Sequence, residues 1–177
     1  MTAPGDGDIR LEPLTAAHAA AMDELARDDG VTRFTRVPDP VPDNFGERWV
    51  ERYTKGREDR TNAGFAIVDV ESGDFLGLMG LVSLDLEAQE AEAGYVVSSR
   101  ARARGIATRA LLLLTDWAFT ELPLERIELL IDAENPASEV VAQRCGYTRE
   151  GVHRSRYFKP GRRSDTIVYA KLRREHG

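Results

Sequence analysis

The chain of 177 residues has a single cysteine, Cys145, which excludes an internal disulfide framework. Its three histidines, His18, His153 and His176, are scattered, and no metal-ligand spacing appears. Long apolar runs are missing: the longest, ALLLL from Ala110, is far below the ~20 residues of a membrane-spanning helix. The start, MTAPGDGDIRL, lacks the basic and apolar regions of a secretory signal, so the expectation is a cytoplasmic protein with no membrane association. Positive charge is not in excess, since Lys+Arg 24 against Asp+Glu 30 give −6 and a pI near 5.2. That argues against general polyanion binding and predicts no nucleic-acid partner. Lysine occurs only at Lys55, Lys159 and Lys171 beside abundant arginine and alanine, the usage of a GC-rich genome.

What is present fits one domain over 1–177, the usual ~100–200 residues, with mixed α/β patterning and no internal repeat. Ile9–Leu14 alternates like a strand, and Thr15 stands where an N-cap belongs before an alanine-rich helix to Arg27. VTRFTRVPDPVPDN, residues 31–44, carries three prolines and is expected to be irregular, leading into a helix from about Asn44 with Phe45, Trp49 and Tyr53 on one face. AGFAIVDV and FLGLMGLVSL, joined by ESGD, predict a hairpin, and EAEAGYVVSS from Glu90 to Ser99 a further strand. A helix follows from about Ile106 to Thr120, then ERIELLIDA as a fully buried strand. Asn135-Pro136 pairs an N-cap with proline at the first helical position, and Gly146 suits that helix's end. YTREGVHRSRYFK, PGRR and SDTIVYAKL predict a closing hairpin.

Between the strand and the long helix stands RARARGIATRALLLL, Arg100 to Leu114. A strand-to-helix loop presents unpaired backbone N–H groups where the helix dipole is positive, a natural place for pyrophosphate. Gly105 and the small Ala107 would let phosphate approach the backbone, and Arg102 or Arg104 would add a charge-assisted contact. No GxxxxGK[ST] or GxGxxG is present, so neither a nucleoside-triphosphate loop nor a dinucleotide fold explains it. From these residues alone, a phosphate site and an ordinary solvated helix start stand side by side.

RARGIA, Arg102 to Ala107, matches the acyl-CoA signature [QR]xxGx[GA] of the GCN5-related N-acetyltransferase (GNAT) superfamily. DAENPASEVVAQRCGYTREGVHR, Asp132 to Arg154, resembles the N-x-x-S…G-[FY]-x-x-E-G block of its RimJ and RimL branch, EAGYVVSS that branch's fourth strand, and SDTIVYAKL its closing strand. The resemblance spans nearly the whole chain in order. It implies an α/β (α+β) fold: a mixed central sheet of about seven strands, splayed between strands four and five and flanked by helices. It implies acetyl-CoA as cosubstrate, no metal, direct transfer of acetyl to a primary amine such as a protein N-terminus, and a tendency to form a homodimer, for which the sequence marks no interface.

By the same resemblance Arg102, Ala103, Arg104, Gly105, Ile106, Ala107 and Thr108 offer backbone N–H groups to pyrophosphate. Tyr95, Val96 and Val97 pair through their backbone with the pantetheine arm, and the N–H near Val97 stabilises the oxyanion; their side chains read equally as strand core. Asn135 lies along the CoA arm while also capping its helix, and Ser138 either protonates the leaving thiolate or caps locally. A thiol pKa of ~8.5 makes a weak hydroxyl donor sufficient. Glu92 matches an acidic position that takes the amine proton through water, with Glu87 and Glu90 as nearby solvated glutamates. An α-amine, pKa ~7.8, is already about a tenth neutral at pH 7 whereas a lysine amine is not, which favours an N-terminus over lysine. A small amine such as an aminoglycoside or polyamine is the rival acceptor; a CoA-binding sensor and an RNA- or ribosome-associated protein are the rival classes. Val31–Asn44, with Arg33 and Arg36, and the turn Lys159–Arg163 are expected to wall the acceptor pocket. Cys145 reads as a buried helix-end residue with no catalytic part.

Overall fold

In chain order the elements are β1 (Ile9–Pro13), α1 (Ala19–Ala26), α2 (Asp29–Phe34), α3 (Phe45–Glu58), β2 (Ala63–Asp69), β3 (Phe75–Asp85), β4 (Glu90–Val97), α4 (Ile106–Glu121), β5 (Arg126–Asp132), α5 (Pro136–Arg144), β6 (Thr148–Lys159) and β7 (Arg162–Leu172). This computed structural model describes residues 4–177; Met1–Ala3, the start of the stretch read for a signal, lie outside the described residues. No described helix is long and apolar enough to cross a membrane.

The strands form one mixed sheet in the order β1-β2-β3-β4-β5-β7-β6. Every neighbouring pair is antiparallel except β4–β5, which runs parallel and is joined at only Glu90↔Arg126, Ala91↔Ile127 and Glu92↔Glu128. Beyond Glu92 the two strands part, as the resemblance implies. Alternation assigns β4's side chains to two faces. Ala91, Ala93, Tyr95 and Val97 pack with α4 in a cluster centred on Leu111, Leu114 and Phe119. Val96 packs on the other face with Met22, Leu25, Val50 and Tyr53 from α1 and α3.

The aromatic stripe of α3 belongs largely to that second core: Tyr53 is buried, and Phe45 and Trp49 pack edge to face with centroids 5.2 Å apart. Four local expectations need correction. Val31–Phe34 is helical, because Asp28 caps α2 by accepting from the N–H groups of Gly30 (2.9 Å) and Val31 (3.2 Å), and the prolines begin only at Pro38. A 3-10 turn, Ala16–His18, separates Thr15 from α1. β4 ends at Val97, so Ser98 and Ser99 belong to the loop. β5 is not fully buried but alternates, with Ile127, Leu129 and Ile131 inside while Arg126, Glu128 and Leu130 are half-buried beside the opening.

Candidate active site

The loop after β4 turns sharply into α4. Ala103 (φ 59°) and Gly105 (φ 75°) are left-handed, and Gly105 is the residue that adopts this conformation without a Cβ penalty. No side chain caps α4. Its first closing bond is from Arg109 N–H to the Gly105 carbonyl (3.1 Å), so Ile106, Ala107 and Thr108 keep the outward-pointing N–H groups every helix start leaves over. Arg102 differs from expectation. Its N–H is turned inward to Ser99 (3.3 Å), and its guanidinium is bound to Asp28 and to the Val97 carbonyl (3.2 Å). Burial raises the Asp28 carboxyl, but Arg102 and the two capping N–H groups outweigh it and hold the carboxyl below its ordinary value. Arg104 reaches Asp69 only at 3.9 Å.

One edge of β4 faces the gap. Successive amides of a strand point to opposite edges. Because Ser98 N–H bonds the Leu76 carbonyl on the β3 side (2.9 Å), the amides of Val97 and Tyr95 fall on the open edge, while Val96 turns to β3. Across the gap α5 starts with Pro136 at its first position, and the Asn135 side chain accepts from Ser138 N–H at 3.3 Å. The capping part of Asn135 is therefore realised. The Tyr95 hydroxyl spans to the Ser138 carbonyl at 3.4 Å, and burial pushes its phenol up to about 12, keeping it protonated.

Glu92 and Ser138 are not brought into contact. Tyr95, the residue that touches α5, and Glu92 differ in parity along β4, so Glu92 faces the α3 side of the sheet and Ser138 the α4 side, with the gap between. Burial pushes the Glu92 carboxyl up and Glu128 adds to this, while Arg36 and Arg156 pull it back. Cys145 is buried, its thiol pushed up to about 11, which leaves it inert.

On the α3 side, the segment Val31–Asn44 is held by contacts from the β6–β7 hairpin, which includes the turn Lys159–Arg163 expected to wall the pocket. Tyr157 hydroxyl donates to the Thr35 carbonyl (2.7 Å), Arg162 to the Arg33 carbonyl (2.6 Å), and Lys159 to the Thr32 carbonyl. Beneath this clasp Asp132, its side chain 1% exposed, accepts from Arg162 (2.7 Å), Ser164 (2.9 Å) and Glu134 N–H (2.9 Å). Glu134 also pairs with Arg33 (3.2 Å) and Arg162 (3.1 Å). Asp28, Asp132 and Tyr157 were missed by sequence reasoning, and Arg162 was included only as part of the turn Lys159–Arg163, because the partners they meet across the fold are distant in the chain. Among the described residues no cluster suited to a metal ion is present.

With this geometry in place, the chain's relatives bear directly on it. Residues 8–148 match the family described as acetyltransferase (GNAT) domain. The protein YdaF of Bacillus subtilis (strain 168) is 33% identical over 103 residues, a match covering 58% of this chain and only 56% of YdaF. Spermidine N(1)-acetyltransferase of Escherichia coli (strain K12) is 27% identical over 167 residues, 93% of this chain and 86% of that protein. The crystallised RimL, a ribosomal L7/L12 alpha-N-protein acetyltransferase in complex with coenzyme A, superposes with TM-score 0.88 over 96% of each chain at 18% identity, which establishes a common fold.

Proposed function

This chain belongs to the acetyltransferase (GNAT) family, and from that premise we propose that it is an acetyl-CoA-dependent N-acetyltransferase acting on a protein or peptide N-terminal α-amine. The observation that carries the reading is the parting of β4 from β5 after Glu92 beside the uncapped start of α4. Together they offer one strand edge for amides and one helix end for phosphates.

Acetyl-CoA, when bound, supplies the activated thioester. The N–H groups of Ala103, Arg104, Gly105, Ile106, Ala107 and Thr108 hold its pyrophosphate, and those of Tyr95 and Val97 align the arm; Val96 contributes its place in the strand, and Asn135 borders the arm from α5. Holding donor and amine together supplies much of the rate, because the reaction becomes effectively unimolecular. Glu92 takes the amine proton through water on the α3 side as the C–N bond forms. The Val97 N–H stabilises charge on the carbonyl oxygen. Ser138 donates a hydrogen bond to the sulfur on the α4 side as the C–S bond breaks; the thiolate, a good leaving group, takes its proton from water through that hydroxyl, and Glu92 gives up the amine proton to solvent, so the protons balance.

A polyamine acceptor is the second reading, favoured by the match to a spermidine acetyltransferase over nearly the whole chain. A single domain, a cytoplasmic location and a homodimer complete the proposal. Calorimetric titration with acetyl-CoA, CoA and ATP tests it first, followed by thiol release with peptide and polyamine acceptors. Selective CoA binding with turnover of N-terminal peptides upholds it; a folded protein that binds no CoA form overturns it, and binding without turnover of any amine leaves a CoA sensor.

A further inference from the structure

We propose that the acceptor carries a carboxylate close to the amine that is acetylated, as an acidic peptide N-terminus does, and that Arg36 and Arg156 hold it. The inference rests on acetyl transfer at the same cleft and narrows its substrate class.

The two arginines flank one bond. Thr35, beside Arg36, accepts from the hydroxyl of Tyr157, beside Arg156, at 2.7 Å. Both side chains are exposed, and both pull the Glu92 carboxyl toward its charged form. Neither has an ion-pair or side-chain hydrogen-bond partner among the described residues, and Arg154, in the same bulge as Arg156, is likewise unpaired, whereas three other nearby arginines are spent. Arg33 binds Glu134, Arg162 binds Asp132 and Glu134, and Arg163 binds the Ser155 carbonyl.

Arg156 is placed by a built feature. In the β6–β7 ladder His153 opposes Thr166 and Tyr157 opposes Ser164, so Arg154, Ser155 and Arg156 together face Asp165 alone. Bulges of this kind bend a strand and re-aim its side chains beside active sites. Here the bend is fixed at Ser155, left-handed at φ 56°, whose N–H donates to Asp165 (2.7 Å) and whose carbonyl accepts from Arg163 (2.8 Å). A strained non-glycine residue pinned from both sides holds Arg156 in place.

Two of the nearby acids are already committed to another arginine. Glu128 is paired with Arg126 at 3.2 Å, and Arg126 is shared with Glu150 at 2.7 Å. Of the other acids, Asp39 acts on Lys159 and Asp165 accepts from the Ser155 N–H, so Glu92 is the carboxylate on which both unpaired guanidinium groups act. A polyamine would have to place further positive charges beside those arginines, a like-charge juxtaposition that discriminates strongly between partners. An acidic peptide places its amine near Glu92 and its carboxylate on a guanidinium, the planar fork suited to it.

The test uses three acceptors with acetyl-CoA: an amidated peptide beginning Ser-Glu-Glu, one beginning Ser-Lys-Lys, and free glutamate, which separates a small amino acid from a peptide as the carboxylate's source. We expect kcat/KM for the acidic peptide to exceed that for the basic one by about tenfold, a 1.4 kcal/mol preference. Arg36→Glu and Arg156→Glu, in proteins whose melting is checked, should invert it, and Arg156→Gln should only abolish its share. Equal turnover of the two peptides, faster turnover of spermidine, or charge-reversed variants with an unchanged ratio overturn the proposal. Calorimetric binding of the peptides to CoA-saturated protein separates the two claims. Charge-selective binding without acetylation upholds the arginines and sinks the acetyltransfer reading, whereas acetylation with no charge preference does the reverse.

Discussion

α5 starts sealed, with Asn135 accepting from the Ser138 N–H and proline at its first position, where no N–H exists to satisfy. α4 starts bare, after a left-handed glycine and with no side-chain cap. Both helices follow parallel strands, one on each side of the same gap, so topology cannot account for the contrast. The difference teaches where the fold keeps polar groups for itself and where it leaves them to a ligand.

Filling the bare end should break the contrast most severely. Ala107→Asp sets a carboxylate over the first turn of α4, where it opposes phosphate yet complements the helix dipole. CoA affinity should fall by about a hundredfold or more by calorimetry, while stability holds or rises by up to ~1 kcal/mol. Gly105→Glu should weaken CoA as much, but with a stability loss of roughly 1–2 kcal/mol from the left-handed backbone at φ 75°. Unchanged CoA affinity in both variants would remove the phosphate assignment.

Changes at the reacting atoms are expected to be smaller. Ser138→Ala should lower kcat about tenfold to a hundredfold, the low end for general acid catalysis because a thiolate leaves readily, with the acetyl-CoA KM within about twofold. If neither constant moves, the hydroxyl is a bystander on the sealed helix. Glu92 must be ionised to accept a proton, and burial raises its pKa, so kcat/KM should rise with pH along a limb lying above the ordinary 4.5. Glu92→Gln should cost about tenfold at pH 7 and flatten that limb; a limb retained by the variant would assign it to another group. Smallest is Asn135→Ala, which unseals α5 at a cost of ~1 kcal/mol in denaturant unfolding.

The sealed helix was readable because its signals are adjacent: Asn135 and Pro136 announce the start, and left-handed Gly146 (φ 74°) closes the end. The bare helix was readable through RARGIA and its place between strand and helix. Side-chain pairing was not readable. Arg102 meets Asp28 across 74 positions and Tyr157 meets Thr35 across 122, distances that no local pattern encodes. The bulge at Arg154–Arg156 was hidden because β6 is exposed over most of its length, so no apolar alternation exists there to be interrupted. The short α2 was obscured by prolines lying just beyond it, and the depth of β5 by an apolar run that in fact alternates.

The open edge of β4 also gives one strand two rates of solvent exchange. Amides of Gly94 and Val96 point into the β3 ladder, whereas Tyr95 and Val97 point into the gap. Deuterium should therefore enter at alternate positions, fast at 95 and 97 and slow at 94 and 96, in a stretch where sequence position alone would predict uniform protection. A ligand lying along the gap erases that alternation without moving the fold, so the strand serves as its own record of occupancy.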